Sequence, residues 1–252
     1  MSRRARELSP SGIYHVMTRG VNKMDLFYDD RDRYRYCEGL DKAKQKFDFA
    51  LYAYCLMSNH VHLLIKENKT SISVVMQSIG VRYSMYFNAK YRRVGHLFQN
   101  RFRSEPIGSE NQLLTCARYI HNNPVKAGIT SKPEKYFWSS FRTYIGQADE
   151  PMLDKSLLLG IHGGSAALKK FTEAVNDDSF MEYGEGSGEQ EEILRNIEEY
   201  LEREFGLEVR DLQFLKRKTR DAVIAALKNN FDVSDRSLAE LLNLTKDKIH
   251  RA

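Results

Sequence analysis

Cysteine is scarce in this sequence, and the little there is forms no pattern. Cys37, Cys55 and Cys116 are far apart and include no CxxC pair. That argues against a disulfide framework and a zinc knuckle, and it fits a reducing compartment. No window approaches about 18 uninterrupted apolar residues, so no membrane-spanning helix is expected. The first residues, MSRRARELSPSG, are basic but lead into no apolar core, so they do not read as a secretory leader. No internal repeat or low-complexity segment stands out. Hydrophobic residues make up 42% and charged residues 29% of the 252, which is ordinary for a soluble globular chain. The expected location is the cytoplasm, near the nucleoid.

Charge is unevenly spread. Residues 1–150 carry roughly 24 Lys and Arg against 14 Asp and Glu, 151–204 roughly 5 against 13, and 205–252 roughly 10 against 7. A basic first part suits a polyanion, with nucleic acid the leading partner. The acidic middle reads as a solvated connector. Three parts are expected: a domain over 1–150, an acidic helical connector with a Gly/Ser linker (GEGSG, 184–188) over 151–188, and a helical domain over 189–252.

Along the first part, GIYHVMTRG (12–20) alternates as a strand, with Ile13, His15 and Met17 opposite Tyr14, Val16 and Thr18. A polar, cationic turn follows, in which Arg19 and Asn22 are candidate phosphate contacts. Asp29 and Asp30 can cap a helix to residue 47. A strand over 49–65 contains His60 and His62. Ser71 or Ser73 can open a helix to residue 91, with Val75, Ile79, Tyr83 and Phe87 on one stripe. GHLFQNRFRSEPI (95–107) reads as a further strand with Gln99, Arg101 and Arg103 on one face, either a nucleic-acid backbone track or an edge strand guarded by charge. A helix over 110–123 is expected to stop before Pro124, and Trp138, Phe141 and Tyr144 close the core. Amphipathic strands among helices predict an α+β fold, a largely antiparallel sheet with helices packed on it.

Period-two alternation puts His60 and His62 on one strand face, with Val61 on the other. They are either paired metal ligands or polar residues on a half-wet strand. Tyr119 and Asn123 are i and i+4 on a helix and share a face. His60, His62 and the Asn123 amide oxygen would form a three-ligand site better suited to Mg²⁺ or Mn²⁺ than to Zn²⁺. A tyrosine beside it could attack a phosphate, although a phenol of pKa ~10 needs help. The product would be a 5′-phosphotyrosine. His121, about 200° round the helix from Tyr119 at the usual 100° per residue, reads as structural.

The ordered set YHVMTRG (14–20), MSNHVHLLI (57–65), GHLFQNRF (95–102), RYIHNNPVKAG (118–128) and WSSFRTY (138–144) resembles the single-tyrosine HUH transposases, in particular the REP-associated tyrosine transposases. The resemblance spans about residues 8–147. It implies an HUH, ferredoxin-like fold, Tyr119 as nucleophile, and His60, His62 and Asn123 on a divalent metal. It also implies nicking and rejoining of single-stranded DNA beside hairpin-forming palindromes, by a monomer or a homodimer. The competing reading is a regulator that binds DNA with this fold but does not mobilise it. Another is a metal phosphodiesterase that uses water.

In the last part, EEYLEREFGLEVRDL, KRKTRDAVIAALKN and SLAELLNLTKDKIHRA resemble the helix-turn-helix DNA-binding domain of the bacterial replication initiator. The resemblance implies duplex DNA as a further partner. Lys246, Lys248, His250 and Arg251 are the candidate base-reading contacts, and Lys216, Arg217 and Lys218 the candidate phosphate contacts. A packing or dimerisation bundle is the other reading of this part.

Overall fold

Four strands supply the frame of the first unit: β1 (Ile13–Arg19), β2 (Phe49–Leu56), β3 (His60–Glu67) and β4 (Arg103–Ile107). They form one sheet in the order β2-β3-β1-β4, every neighbouring pair antiparallel. The computed structural model describes residues 7–174, 178–180, 185–231, 233, 235–242, 244 and 248–249. The chain divides into two compact units, residues 1–181 and 182–252. Among the described residues no helix is long and apolar enough to cross a membrane.

The sheet is a sandwich filling because its alternation separates two apolar cores. Tyr14 and Val16 of β1 and Val61, Leu63 and Ile65 of β3 face α1 (Asp30–Lys46) and α2 (Ile72–Lys90). Ile13 of β1 and Leu64 of β3 face α3 (Glu110–Lys126), which contributes Leu113, Cys116, Ala117 and Ile120. These fall at helical spacing, so one stripe of α3 covers the sheet. The expected stripe on α2 is present, with Val75, Ile79, Tyr83 and Phe87 all buried. Asp29 caps α1 in a reciprocal pair with Asp32.

Asp32 is a fully buried carboxylate on this helix. Burial alone would raise its pKa. Hydrogen bonds from Lys90 (2.7 Å), Tyr91 (2.7 Å), the Tyr28 N–H (2.8 Å) and Tyr86 (3.0 Å) outweigh that and lower it. This set ties α1 to the end of α2. Asp32→Ala strips those donors of their shared acceptor and is expected to cost about 3 kcal/mol, read as a lower urea midpoint with unchanged slope.

Four expectations need correction. The apolar run 49–65 is a hairpin, not one strand: Ser58–Asn59 is a polar turn signal inside it, and the Ser58 carbonyl is held by the N–H groups of Leu26 (2.7 Å) and Phe27 (3.2 Å). His60 therefore opens β3 instead of sitting mid-strand. Of the expected strand 95–107, only 103–107 is strand. The segment before it spends its backbone bonds capping the end of β1, Val21 N–H to Leu97 O and Gln99 N–H to Arg19 O, both 2.9 Å. Gln99 and Arg101 thus lie on a loop and share no strand face with Arg103. Third, α3 runs through Pro124 to Lys126. A proline in the last turn forfeits one bond to Ile120, while its own carbonyl accepts from the Ile129 N–H at 2.9 Å. Fourth, the stretch read as a connector holds α5 (Ser156–His162) and α6 (Ser165–Glu173), after a short α4 (Phe141–Tyr144). Leu158 and Leu168 are buried in the core beneath α3, so these helices belong to the first unit.

The second unit contains α7 (Glu185–Phe205), α8 (Arg217–Asn230) and α9 (Asp235–Leu241). α7 begins inside GEGSG, where a linker is expected. Ile197, Leu201, Leu212, Ile224, Leu227, Leu238 and Ile249 form its core. Of the candidate base-reading contacts, Lys246, His250 and Arg251 lie outside the described residues. Lys248 is half-buried.

Candidate active site

Registry of the sheet gathers the site. In β1–β3, Arg19 lies opposite His60 and Met17 opposite His62, while in β1–β4 His15 lies opposite Glu105. Residues opposite each other in an antiparallel pair share a face. His15, His62, His60 and Glu105 therefore all point to the side that α3 covers. Tyr119 closes over them: its ring centroid is 5.8 Å from that of His62 and 5.9 Å from that of His15. The His60 and His62 rings are 4.9 Å apart. One chain supplies both the histidine pair and the tyrosine helix.

Each histidine has an orienting partner. His60 Nδ1 lies 2.6 Å from Asn59 Oδ1. The Asn59 amide is itself set by its Nδ2–H bond to the Lys23 carbonyl at 3.2 Å. An amide oxygen only accepts, so His60 donates from Nδ1 and its lone pair sits on Nε2. His62 Nδ1 lies 2.9 Å from His15 Nε2. His62 is buried, and burial first, then the neighbouring His60 and His15, holds its pKa well below the ordinary value. It is a neutral imidazole, the form that ligates a metal.

Asn123 is buried one turn beyond Tyr119, and its Nδ2–H donates to the Tyr119 carbonyl at 3.4 Å, leaving Oδ1 as the ligand-capable atom. Among the described residues no group of three or more His, Cys, Asp and Glu side chains is placed to hold a metal. A metal here needs the amide. Two imidazoles, both presenting Nε2 if His62 donates from Nδ1, and one amide oxygen are a donor set that Mg²⁺ or Mn²⁺ accepts when water fills the remaining positions.

Tyr119 is fully buried. Phe180 lies over it with ring centroids 5.5 Å apart, and also meets the His15 ring at 6.0 Å. The short segment carrying Phe180 is anchored by Asp178, which takes bonds from Arg118 Nε (2.5 Å) and Nη2 (2.7 Å). Lys126 Nζ donates to the Asp178 carbonyl and stands 4.8 Å from the Tyr119 ring centroid. His121, on the far side of α3, is buried against Phe141 and Tyr144 and bonds Ser140 Oγ at 2.9 Å. It takes no part in the cluster, as its helical angle suggests.

The other candidates fall in three places. Arg19, Asn22 and Gln99 gather at the His60 end of the sheet. There Gly20 permits a turn so close that a Cβ would meet the Met24 carbonyl at 2.1 Å. Asn22 (φ 52°) and Lys23 (φ 61°) complete that turn in the left-handed region. Arg101 is exposed beyond it, and Arg103 is half-buried on β4. Lys216, Arg217 and Lys218 are exposed where α8 begins. Asn59, His15, Glu105, Lys126 and Phe180 were missed. Asn59 is adjacent to the histidine pair, and His15 shares its period-two face with Met17, but only strand pairing shows what they touch.

Residues 9–123 match the family model of the IS200-like transposases. A protein of Haemophilus influenzae named a REP-associated tyrosine transposase is 24% identical over 153 residues, covering 56% of this chain and 86% of that one. A solved structure of a REP-associated tyrosine transposase bound to a REP hairpin superposes with a TM-score of 0.51 at 17% identity, over 62% of this chain and 98% of that one. That likeness is one of fold. Residues 9–123, which carry the sheet, the histidines and the tyrosine, are the part of this chain that is similar to the IS200-like transposases.

Proposed function

We propose that the first unit cuts and rejoins single-stranded DNA beside hairpins, with Tyr119 as the nucleophile. The supporting observation is the 5.8 Å approach of the Tyr119 ring to His62, on the face His62 shares with His60. The Tyr119 oxygen attacks phosphorus, the bond to the 3′ oxygen breaks, and the phenol proton is lost as the 3′ oxygen gains one. The 5′ phosphate stays esterified to Tyr119, so a new 3′ hydroxyl can reverse the step and rejoin the strand. A divalent ion, Mg²⁺ or Mn²⁺, held by His60, His62 and Asn123 would polarise the phosphoryl oxygens and stabilise charge on the leaving oxygen. Arg19, Asn22 and Gln99, with Arg101 and Arg103 nearby, offer the strand cationic and amide contacts along its phosphates. Because Tyr119 is buried under Phe180, the segment at 178–180 has to shift before a phosphate can reach the phenol. The chain that carries the histidine pair also brings Tyr119 beside it, which supports a monomeric site.

The test is incubation of the full chain with an end-labelled hairpin oligonucleotide carrying a single-stranded flank, with Mn²⁺. A protein–DNA adduct that survives SDS, and is absent with chelator, is the expected result. Cleavage that leaves free 5′ phosphates without an adduct at any time point would instead establish water as the nucleophile.

The second unit is proposed to bind duplex DNA through a helix-turn-helix. In support, the exposed Lys216, Arg217 and Lys218 stand together at the start of α8. Replacing all three by Ala is expected to weaken duplex binding and reduce the slope of log affinity against log salt by about 2–3, near 0.9 for each phosphate no longer neutralised. Fluorescence anisotropy across a salt series measures it, and an unchanged slope removes these residues from the interface.

A further inference from the structure

His15 has no role in the reaction described above, yet it is fully buried at the centre of the cluster. Its Nε2 is 2.9 Å from His62 Nδ1. Its Nδ1 has no hydrogen-bond partner and lies 3.7 Å from the Glu105 carboxylate, which is one-third exposed on the edge strand β4. When neither imidazole is charged, one nitrogen must carry the shared proton, and the two choices have opposite consequences. If His15 Nε2 is protonated, His62 must accept at Nδ1, and its own proton then sits on Nε2, where a metal would have to bind. The bare Nδ1 of His15 would then point its lone pair at a carboxylate. If His15 Nδ1 is protonated, that N–H faces the carboxylate favourably, Nε2 accepts, and His62 Nδ1 donates.

We propose that Glu105 and His15 are positioning residues that fix the tautomer of His62, so that its Nε2 lone pair faces the metal. The proposal rests on the metal reading of His60 and His62. At 3.7 Å the carboxylate acts by charge, not by a full hydrogen bond. Glu105 reaches His62 only through His15, two strands away. The arrangement repeats on β3 by other means: His60 has its Nδ1 proton held by Asn59, and both histidines would thus present the same nitrogen. Groups that hold the second nitrogen of a ligating histidine fix its ring orientation and basicity.

The full chain, labelled with ¹⁵N-histidine and free of metal, tests the tautomers by long-range ¹H–¹⁵N correlation. Protons on Nδ1 of both His15 and His62 are expected. A proton on His62 Nε2 in the unsubstituted chain overturns the proposal. Mn²⁺ affinity, from the free-ion electron paramagnetic resonance signal, is the second readout. Glu105→Ala, at a partly exposed site that tolerates truncation, is expected to mix the His62 tautomers and weaken Mn²⁺ about 10-fold. Glu105→Gln, which keeps the shape of the side chain and removes its charge, is expected to lose about as much. His15→Phe is expected to lose about 10- to 100-fold. Unchanged tautomers and affinity in Glu105→Ala, or a Glu105→Gln chain that matches the unsubstituted one, also overturn it. A chain that shows the expected tautomers but binds no Mn²⁺ would sink the metal reading and leave the proton arrangement standing.

Discussion

Tyr119→Phe abolishes the covalent adduct and lowers strand cleavage by at least about 10³-fold, the scale of removing a nucleophile from a site that keeps its other parts. The change deletes one oxygen. Phenylalanine keeps the ring contacts with His15, His62 and Phe180, so the fold is expected to lose only about 1 kcal/mol. Mn²⁺ affinity should be unchanged, because the tyrosine is not among the ligands. His62→Ala separates the roles from the other side: it weakens Mn²⁺ binding and cleavage together while Tyr119 remains. The measurements are adduct yield on a denaturing gel, single-turnover cleavage rate, and Mn²⁺ binding on each variant. Cleavage at the normal rate in Tyr119→Phe would remove the nucleophile assignment, and loss of Mn²⁺ binding there would mean the tyrosine helps to build the ligand set.

The local geometry of this candidate site was readable in the sequence, and the way its parts come together was not. His60 and His62 share a face for a reason internal to one strand, and Tyr119 and Asn123 for a reason internal to one helix. Both readings need only local periodicity. Which face of the sheet α3 covers is a tertiary fact, settled where Leu113, Cys116, Ala117 and Ile120 find Ile13 and Leu64. The strand over 49–65 failed because two polar residues, Ser58 and Asn59, were outweighed by the apolar run around them. The strand over 95–102 failed because alternation says nothing about where backbone N–H groups find partners, and here they close the end of β1. His15 and Glu105 are far apart in the chain and each unremarkable alone. They meet because β1 lies between β3 and β4, a pairing order that no window of sequence contains. The connector at 151–188 was read from its charge, yet Leu158, Leu168 and Phe180 within it are buried in the core that α3 covers.

The protein is expected to lose stability steeply between about pH 6.5 and pH 3, with His121 a principal cause. His121 is buried against Phe141 and Tyr144, and burial takes its pKa down to about 3. In the unfolded chain the ordinary value is ~6.5. Between those limits the unfolded chain binds a proton that the folded chain refuses, so stability falls as pH falls, by about 1.4 kcal/mol per pH unit. Above pH 6.5 the histidine is neutral in both states and contributes no slope. At pH 5 the loss from this residue alone is about 2 kcal/mol, a large share of the margin of a typical domain. His121→Gln removes the titrating group and keeps a polar atom toward Ser140. Ser140 Oγ is in any case also bonded by the Tyr54 N–H at 2.9 Å. The variant is expected to be about 1 kcal/mol less stable than the parent at pH 7.5 and to lose less on acidification, so the two curves cross at about pH 6. Urea midpoints at half-unit steps from pH 7.5 to pH 4.5, without metal, trace both curves. Parallel curves would show that His121 is protonated in the folded state and that the acid sensitivity arises at other groups.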